Sequence, residues 1–106
     1  GLSPQISNIN VTNNPATTST TFIVQHNFAG SNVDVIIDVF DMSGRLLWQN
    51  ASSGVSTGNT FTVDWNLTTQ SGGRLPTGVY LYRVRLSSGG SKKVSKAKKL
   101  IILNNN

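Results

Sequence analysis

Leu75-Pro76-Thr77-Gly78-Val79-Tyr80-Leu81-Tyr82-Arg83-Val84-Arg85-Leu86 decides how the chain folds. Pro76 and Gly78 punctuate a turn, because proline presets φ and glycine accepts backbone angles that other residues resist. An alternating strand follows. Tyr80, Tyr82, Val84 and Leu86 share one face, and Leu81, Arg83 and Arg85 share the other. Two tyrosines on an inward face bring a large apolar area with polar tips that need partners. The stretch reads as a central strand of a β-sandwich.

Outward from it, six further segments read as strands. A short edge strand lies around Ile6–Val11, within a tail of residues 1–12. Asn13-Asn14-Pro15 signals a turn. Residues Thr20–Phe28 form a strand rich in β-branched and aromatic side chains. The loop 29–32 leads into Val33–Phe40, where Val33, Val35, Ile37 and Val39 face one way and Asp34, Ile36, Asp38 and Phe40 the other. Asp41-Met42-Ser43-Gly44 is a hairpin connection: Asp41 can cap the turn's backbone, and Gly44 takes the positive φ. Arg45–Asn50 returns as the partner strand, with Leu46 sharing the face of Trp48. Residues 51–59 read as a flexible Ser/Gly loop. Thr60–Leu67 carries Phe61, Val63 and Trp65 on one face. Lys92–Leu103 is the last strand, and residues 104–106 a disordered tail. The sum is an all-β, antiparallel, immunoglobulin-like β-sandwich of about seven strands, with a single domain over residues 13–103. Its core is expected to include Phe22, Val24, Val35, Ile37, Val39, Phe61, Val63, Trp65, Tyr80, Tyr82 and Val84.

A chain of 106 residues suits one core that buries roughly 65% of the unfolded surface. Hydrophobic residues make up 37%, and mean hydropathy is −0.13, too apolar for disorder and too polar for a membrane-spanning helix. The opening residues do not read as a signal peptide, Gly1 reads as the remnant of a tag, and the whole as one domain of a longer protein. With no cysteine there is neither a disulfide framework nor thiolate chemistry.

Catalysis finds little to work with. There is no glutamate, and Asp34 and Asp38, four apart on one strand face, stand about 13 Å apart at ~3.3 Å per residue. The single histidine, His26, reads as a solvent-facing or hydrogen-bonded structural residue. No nucleophile elbow is present. Asp38, Asp41 and Ser43 lack the carboxylate density of a calcium loop. No catalytic residue, metal ligand or cofactor is assigned. Trp48, Trp65, Tyr80 and Tyr82 could line a sugar platform, but strand alternation makes them core residues.

Charge is unevenly placed. Net charge is +5; all four acids precede residue 66, with only Arg45 to offset them, and the other eight basic residues lie from Arg74 onward. Arg83, Arg85, Lys92, Lys93, Lys96, Lys98 and Lys99 form a candidate interaction surface. An anionic partner such as lipopolysaccharide is one reading. Edge protection by lysines is the other, and it carries more weight. Nucleic acid is disfavoured, because no exposed aromatics interleave the lysines.

Several motifs together resemble a known family. Val39-Phe40-Asp41-Met42-Ser43-Gly44-Arg45-Leu46-Leu47 resembles the hairpin of C-terminal domains in secreted proteins of Bacteroidota. Val63-Asp64-Trp65, followed by Gly73-Arg74-Leu75-Pro76-Thr77-Gly78-Val79-Tyr80-Leu81-Tyr82-Arg83-Val84, resembles the immunoglobulin-like domain of flagellar hook-capping proteins. Lys98–Leu103 is similar to the closing strand of both, and Asn14-Pro15-Ala16-Thr17 to their opening. The extra strand carrying Trp65, with Phe22–Asn27 ahead of the hairpin, looks most like the C-terminal domain of the gingipain-like cysteine peptidases that act as type IX secretion sortases. That resemblance implies a non-catalytic module whose partners are an upstream peptidase domain and outer-membrane secretion components, at the outer membrane or cell surface. The alternatives it implies are a cleavable sorting signal and a structural assembly domain. The family's catalytic cysteine and histidine would lie upstream, so none is carried over.

Overall fold

The computed structural model describes residues 6–28, 30–55 and 58–104. Eight strands follow in order: β1 (Ile6–Thr12), β2 (Thr20–His26), β3 (Asn32–Phe40), β4 (Leu46–Val55), β5 (Thr60–Trp65), β6 (Gly78–Ser88), β7 (Ser91–Val94) and β8 (Lys98–Ile102). One sheet has the order β1-β2-β5. The other runs β4-β3-β6, and both β7 and β8 pair with the far side of β6. All strand pairs are antiparallel.

The period of two builds the core. Phe22 and Val24 of β2, Val33, Val35, Ile37 and Val39 of β3, and Tyr82, Val84 and Leu86 of β6 are fully or almost fully buried. Across the two sheets Phe22 meets Tyr82 edge-on at 5.3 Å between ring centroids, an arrangement that suits the ring quadrupoles. Tyr80 also faces inward, and its hydroxyl donates to the Pro76 carbonyl at 2.7 Å, closing the turn before β6 much as a tyrosine corner does. Phe61 and Val63 are only half-buried against this core, because β5 is an edge strand.

The hairpin chemistry is as the sequence implies. Asp41 Oδ1 accepts from the Ser43 and Arg45 amides at 2.9 and 3.0 Å, and Gly44 sits at φ +91°. The connection between β1 and β2, which share a sheet, reaches over to touch β8 of the other sheet. Ala16 N–H donates to Ile101 O and Leu103 N–H to Ala16 O, both at 2.8 Å, so residue 16 bridges β8 in parallel.

Other expectations need correction. Gly78 is not at a positive φ, and a Cβ there would make ordinary contact with the Tyr80 ring at 3.6 Å, so no backbone strain calls for glycine. Leu46 does not share the face of Trp48. The register slips at Leu47: Phe40 pairs with Leu46 and Val39 with Trp48, turning Leu46 outward and Trp48 in. The stretch expected as a Ser/Gly loop continues β4 to Val55, because the long β3 offers pairing as far as Asn32, and pairing overrides propensity. Ser56 and Thr57, also placed in that loop, lie outside the described residues, as do Ala29, Asn105 and Asn106. β2 ends at His26 rather than Phe28, and β3 begins at Asn32. β5 stops at Trp65, since the buried Leu67 takes φ +64°, which no strand accommodates. The last strand is two: β7 and β8 are separated at Ser95, which replaces a backbone partner with its side chain, Ser95 Oγ accepting from Val84 N–H at 2.9 Å.

Truncating Tyr82 to alanine is expected to cost roughly 3–5 kcal/mol in chemical denaturation, as for other large buried aromatics. A loss below about 1 kcal/mol would mean a surface residue and the opposite register.

Candidate interaction surface

Strand alternation divides the basic residues between two surfaces. On β6 the inward row is Tyr80 to Leu86, so Arg83 and Arg85 point to the outer face of the sheet. Lys92 sits opposite Ser87 and Lys99 opposite Leu81, which places both on that outer face. Lys93 pairs with Leu86 and Lys98 with Tyr82, the opposite parity, and they turn toward the open side between the sheets. Lys96 lies in the break between β7 and β8. The seven residues are therefore not one continuous strip.

The outer face is organised by Asp38. Its side chain is only 1% exposed, and it is surrounded by donors. Arg83 Nε reaches Oδ2 at 2.8 Å, Arg85 Nε reaches Oδ2 at 2.9 Å and its Nη2 reaches Oδ1 at 3.1 Å, and Gln49 Nε2 donates to Oδ1 at 2.6 Å. The register explains the cluster: Asp38 is directly opposite both Gln49 and Arg83, and Arg85 is one diagonal step away. Burial alone pushes the Asp38 carboxyl up, but hydrogen bonds from Arg83, Gln49 and Arg85, with the charge of Arg85, outweigh it and hold it below the usual carboxylate range. The Arg83 guanidinium also lies 5.0 Å over the Phe40 ring. Arg83 and Arg85 thus serve the fold first.

The other acids are engaged locally. Asp34 accepts from Ser53 Oγ at 2.7 Å and Asp64 from Thr21 Oγ1 at 2.8 Å, while Asp41 holds its turn and pairs with Arg45. His26 is buried, its Nδ1 accepts from the Phe28 amide at 2.9 Å, and burial lowers its pKa. Each of these groups has a structural task.

The two tryptophans close the side of the sandwich where β4 and β5 are both edges. Trp48 and Trp65 stack at 4.8 Å, Phe22 packs against both, and Trp65 Nε1 donates to Thr68 O at 3.0 Å. A shallow cleft of about 390 Å³ beside them is lined by Ser19, Asp64 and Asn66. Trp65 is only 3% exposed and covers its neighbour's ring, so the pair forms a seal rather than a flat sugar platform.

On the opposite open side a groove of about 590 Å³ runs between β1 and the β7–β8 segment. Ile6, Ile9, Val94 and Ala97 give it apolar walls, and Lys93, Lys96 and Lys98 line it. Lys98 Nζ donates to Ile9 O at 2.7 Å, spanning the two sheets. Sequence reasoning found the lysines but not the groove, since only tertiary packing brings β1 beside them.

The chain is similar to several solved structures. It matches PorU from Porphyromonas gingivalis, crystallised as a latent dimer, at 32% identity and a TM-score of 0.83 over 92% of this chain. It matches FlgD of Xanthomonas campestris, the hook-capping protein, at 20% identity and a TM-score of 0.61 over 93% of this chain and 67% of that one. PorZ of Porphyromonas gingivalis, an essential bacterial surface component of the type IX secretion system, matches over 91% of this chain and 11% of that one, at 24% identity and a TM-score of 0.50. The last two likenesses show the shared fold. The chain spans only 9% of the length of the PorU chain. No protein-family model matches it, and no curated protein does.

Replacing Asp38 by asparagine is expected to destabilise the fold at pH 7 by roughly 2–3 kcal/mol. That is less than breaking a fully buried pair, because both arginines keep part of their surface in water. With its folded pKa depressed, Asp38 contributes stability above its unfolded value of about 4, and that contribution is lost as pH falls through the folded value. Urea midpoints of the two proteins should therefore converge as the pH drops below about 4. A gap of the same size throughout acid titration would show that the carboxylate's charge is not what holds the arginines. The similarity to PorU and to the hook-capping fold agrees with the family that the motifs resemble, the immunoglobulin-like domain of gingipain-like type IX sortases.

Proposed function

We propose that this chain is a non-catalytic C-terminal accessory module of a gingipain-like cysteine peptidase associated with type IX secretion, and that it mediates contact with other proteins or with the envelope. The observation that carries this reading is the 32% identity to PorU along 92% of the chain. The described residues add a positive argument: every aspartate and the histidine are tied into turns, ladders or the Asp38 cluster, which suits a scaffold. The sandwich, β1 included, acts as one unit, with the peptidase domain upstream supplying the cysteine and histidine. The module works at the outer membrane or cell surface, where its partners are secretion components and, through exposed lysines, anionic lipopolysaccharide.

Two measurements test this. The reading frame upstream of this segment is expected to encode a peptidase domain with a catalytic cysteine and histidine; an unrelated secreted enzyme there would overturn the assignment. Second, the segment fused to an inert periplasmic reporter in a host with the type IX system should stay periplasmic and full length. Reporter at the cell surface with the segment removed would make the domain a cleavable sorting signal instead.

A further inference from the structure

The groove between β1 and β7–β8 has three properties that together specify an occupant. Both of its long walls are sheet edges: β1 ends one sheet, and β7 lies beyond β6 at the end of the other. The outward backbone groups of such a strand have no neighbouring strand and can pair with an added one. Its rim is partly apolar: Ile6 and Ala97 line it, and Val94, half-exposed at 51%, turns to the outer face of β7. Its charge is of one sign. Among the described residues the three ion pairs all join arginine to Asp38 or Asp41, so Lys93 and Lys96 face the groove with no acid beside them.

We infer that this groove docks an extended acidic peptide segment, laid as an added strand along β7 with its carboxylates on Lys93 and Lys96. The four residues of β7 offer an edge of about 13 Å at ~3.3 Å per residue, enough to align a short strand. Acidic side chains on the face of that strand turned into the groove would meet Lys93 and Lys96, and apolar ones on its outer face would cover Val94, which pairs with Arg85 and shares its facing. The same lysines argue against a second copy of this chain as the occupant, since two such edges would bring like charges together. Edge protection and selective recognition are then one device: a lysine-lined edge rejects neutral and basic strands and admits an acidic one. Among the described residues the groove carries no aromatic ring on which a nucleic-acid base could stack. The inference gives the accessory module a contact surface and rests on that reading for its biological meaning. Its test uses only the isolated chain, so a negative result would leave the reporter experiment untouched, and the reverse.

The experiment is a titration of the isotope-labelled chain, followed by amide NMR, with a capped peptide of about six residues that alternates glutamate and valine. Saturable shifts are expected at residues 6–9 and 93–98. Affinity should fall several-fold between low and physiological salt, as contact between charges near a surface requires. The double variant Lys93→Glu, Lys96→Glu should bind about tenfold more weakly, with its unfolding midpoint unchanged because both side chains are exposed. A peptide N-methylated at alternate amides should lose binding by a similar factor, which loss of charge contact alone would not produce. Three results would overturn the proposal: no saturable shift at about 1 mM peptide, equal binding by a peptide with lysine in place of glutamate, or shifts at Lys93 and Lys96 from lipopolysaccharide micelles but not from the peptide. The last would make the groove a phosphate site.

Discussion

The packing of Phe22 against Tyr82 holds the two sheets face to face, and most of the molecule is arranged around keeping that contact dry. β2 and β6 are each flanked by strands on both sides, so the rings are delivered from the most constrained backbone in each sheet. Val24, Val35, Ile37 and Val84 belong to the same buried cluster and bring no polar atom in their side chains. The two open sides of the sandwich are closed in different ways. On one, stacked tryptophans seal the gap with a large apolar area. On the other, a lysine side chain reaches from β8 to the backbone of β1, and the closure is incomplete. A sandwich with one tight side and one loose side has a natural direction for contact with other molecules.

The outer face of the larger sheet shows how a buried charge can be used without a catalytic purpose. Asp38 sits in the middle strand of a surface that would otherwise expose the ladder between β3 and β6. Two guanidinium groups lie over it, and their stems cover apolar area that water would otherwise meet. Such a cluster fixes register, because a slip of one residue would bury the carboxylate among valines. One of the two positive charges of Arg83 and Arg85 is balanced by Asp38, and the larger share of the charge left for a partner belongs to the lysines.

Much of this was legible in the sequence, and the parts that were not share a cause. The inward rows of β2, β3 and β6 follow from strict alternation of apolar residues, and the hairpin at Asp41 from the known demands of a tight turn. The continuation of β4 through Ser52 and Gly54 could not be read, since small polar residues carry no periodic signal and only the length of β3 recruits them. The slip at Leu47 was equally hidden: one extra residue in a ladder inverts facing without altering composition. Gly78 reads as a glycine needed for its backbone angles, yet it takes an ordinary φ, whereas Gly44 takes the positive φ that its turn demands. For the candidate site, the sequence marked the basic residues but treated them as one strip. Their division follows from register, and the pairing of Asp38 with two arginines needed three strands side by side. The groove depends on β1 lying beside β7–β8, a contact between the two ends of the chain.

That meeting of chain ends has a mechanical side. The segment Asn14–Ala16 runs parallel to β8 and is joined to it by the Ala16 and Ile101 backbone bonds and by the Asn14 amide oxygen, which accepts from Ile101 N–H at 3.0 Å. In a parallel arrangement of this kind, tension between the two ends of the domain pulls along the strands rather than across them. The bonds are then loaded together in shear and cannot be peeled off singly. Resistance to force is set by the unfolding barrier rather than by equilibrium stability. A domain tied in this way can transmit a pull from a tethered neighbour while its own two sheets stay closed.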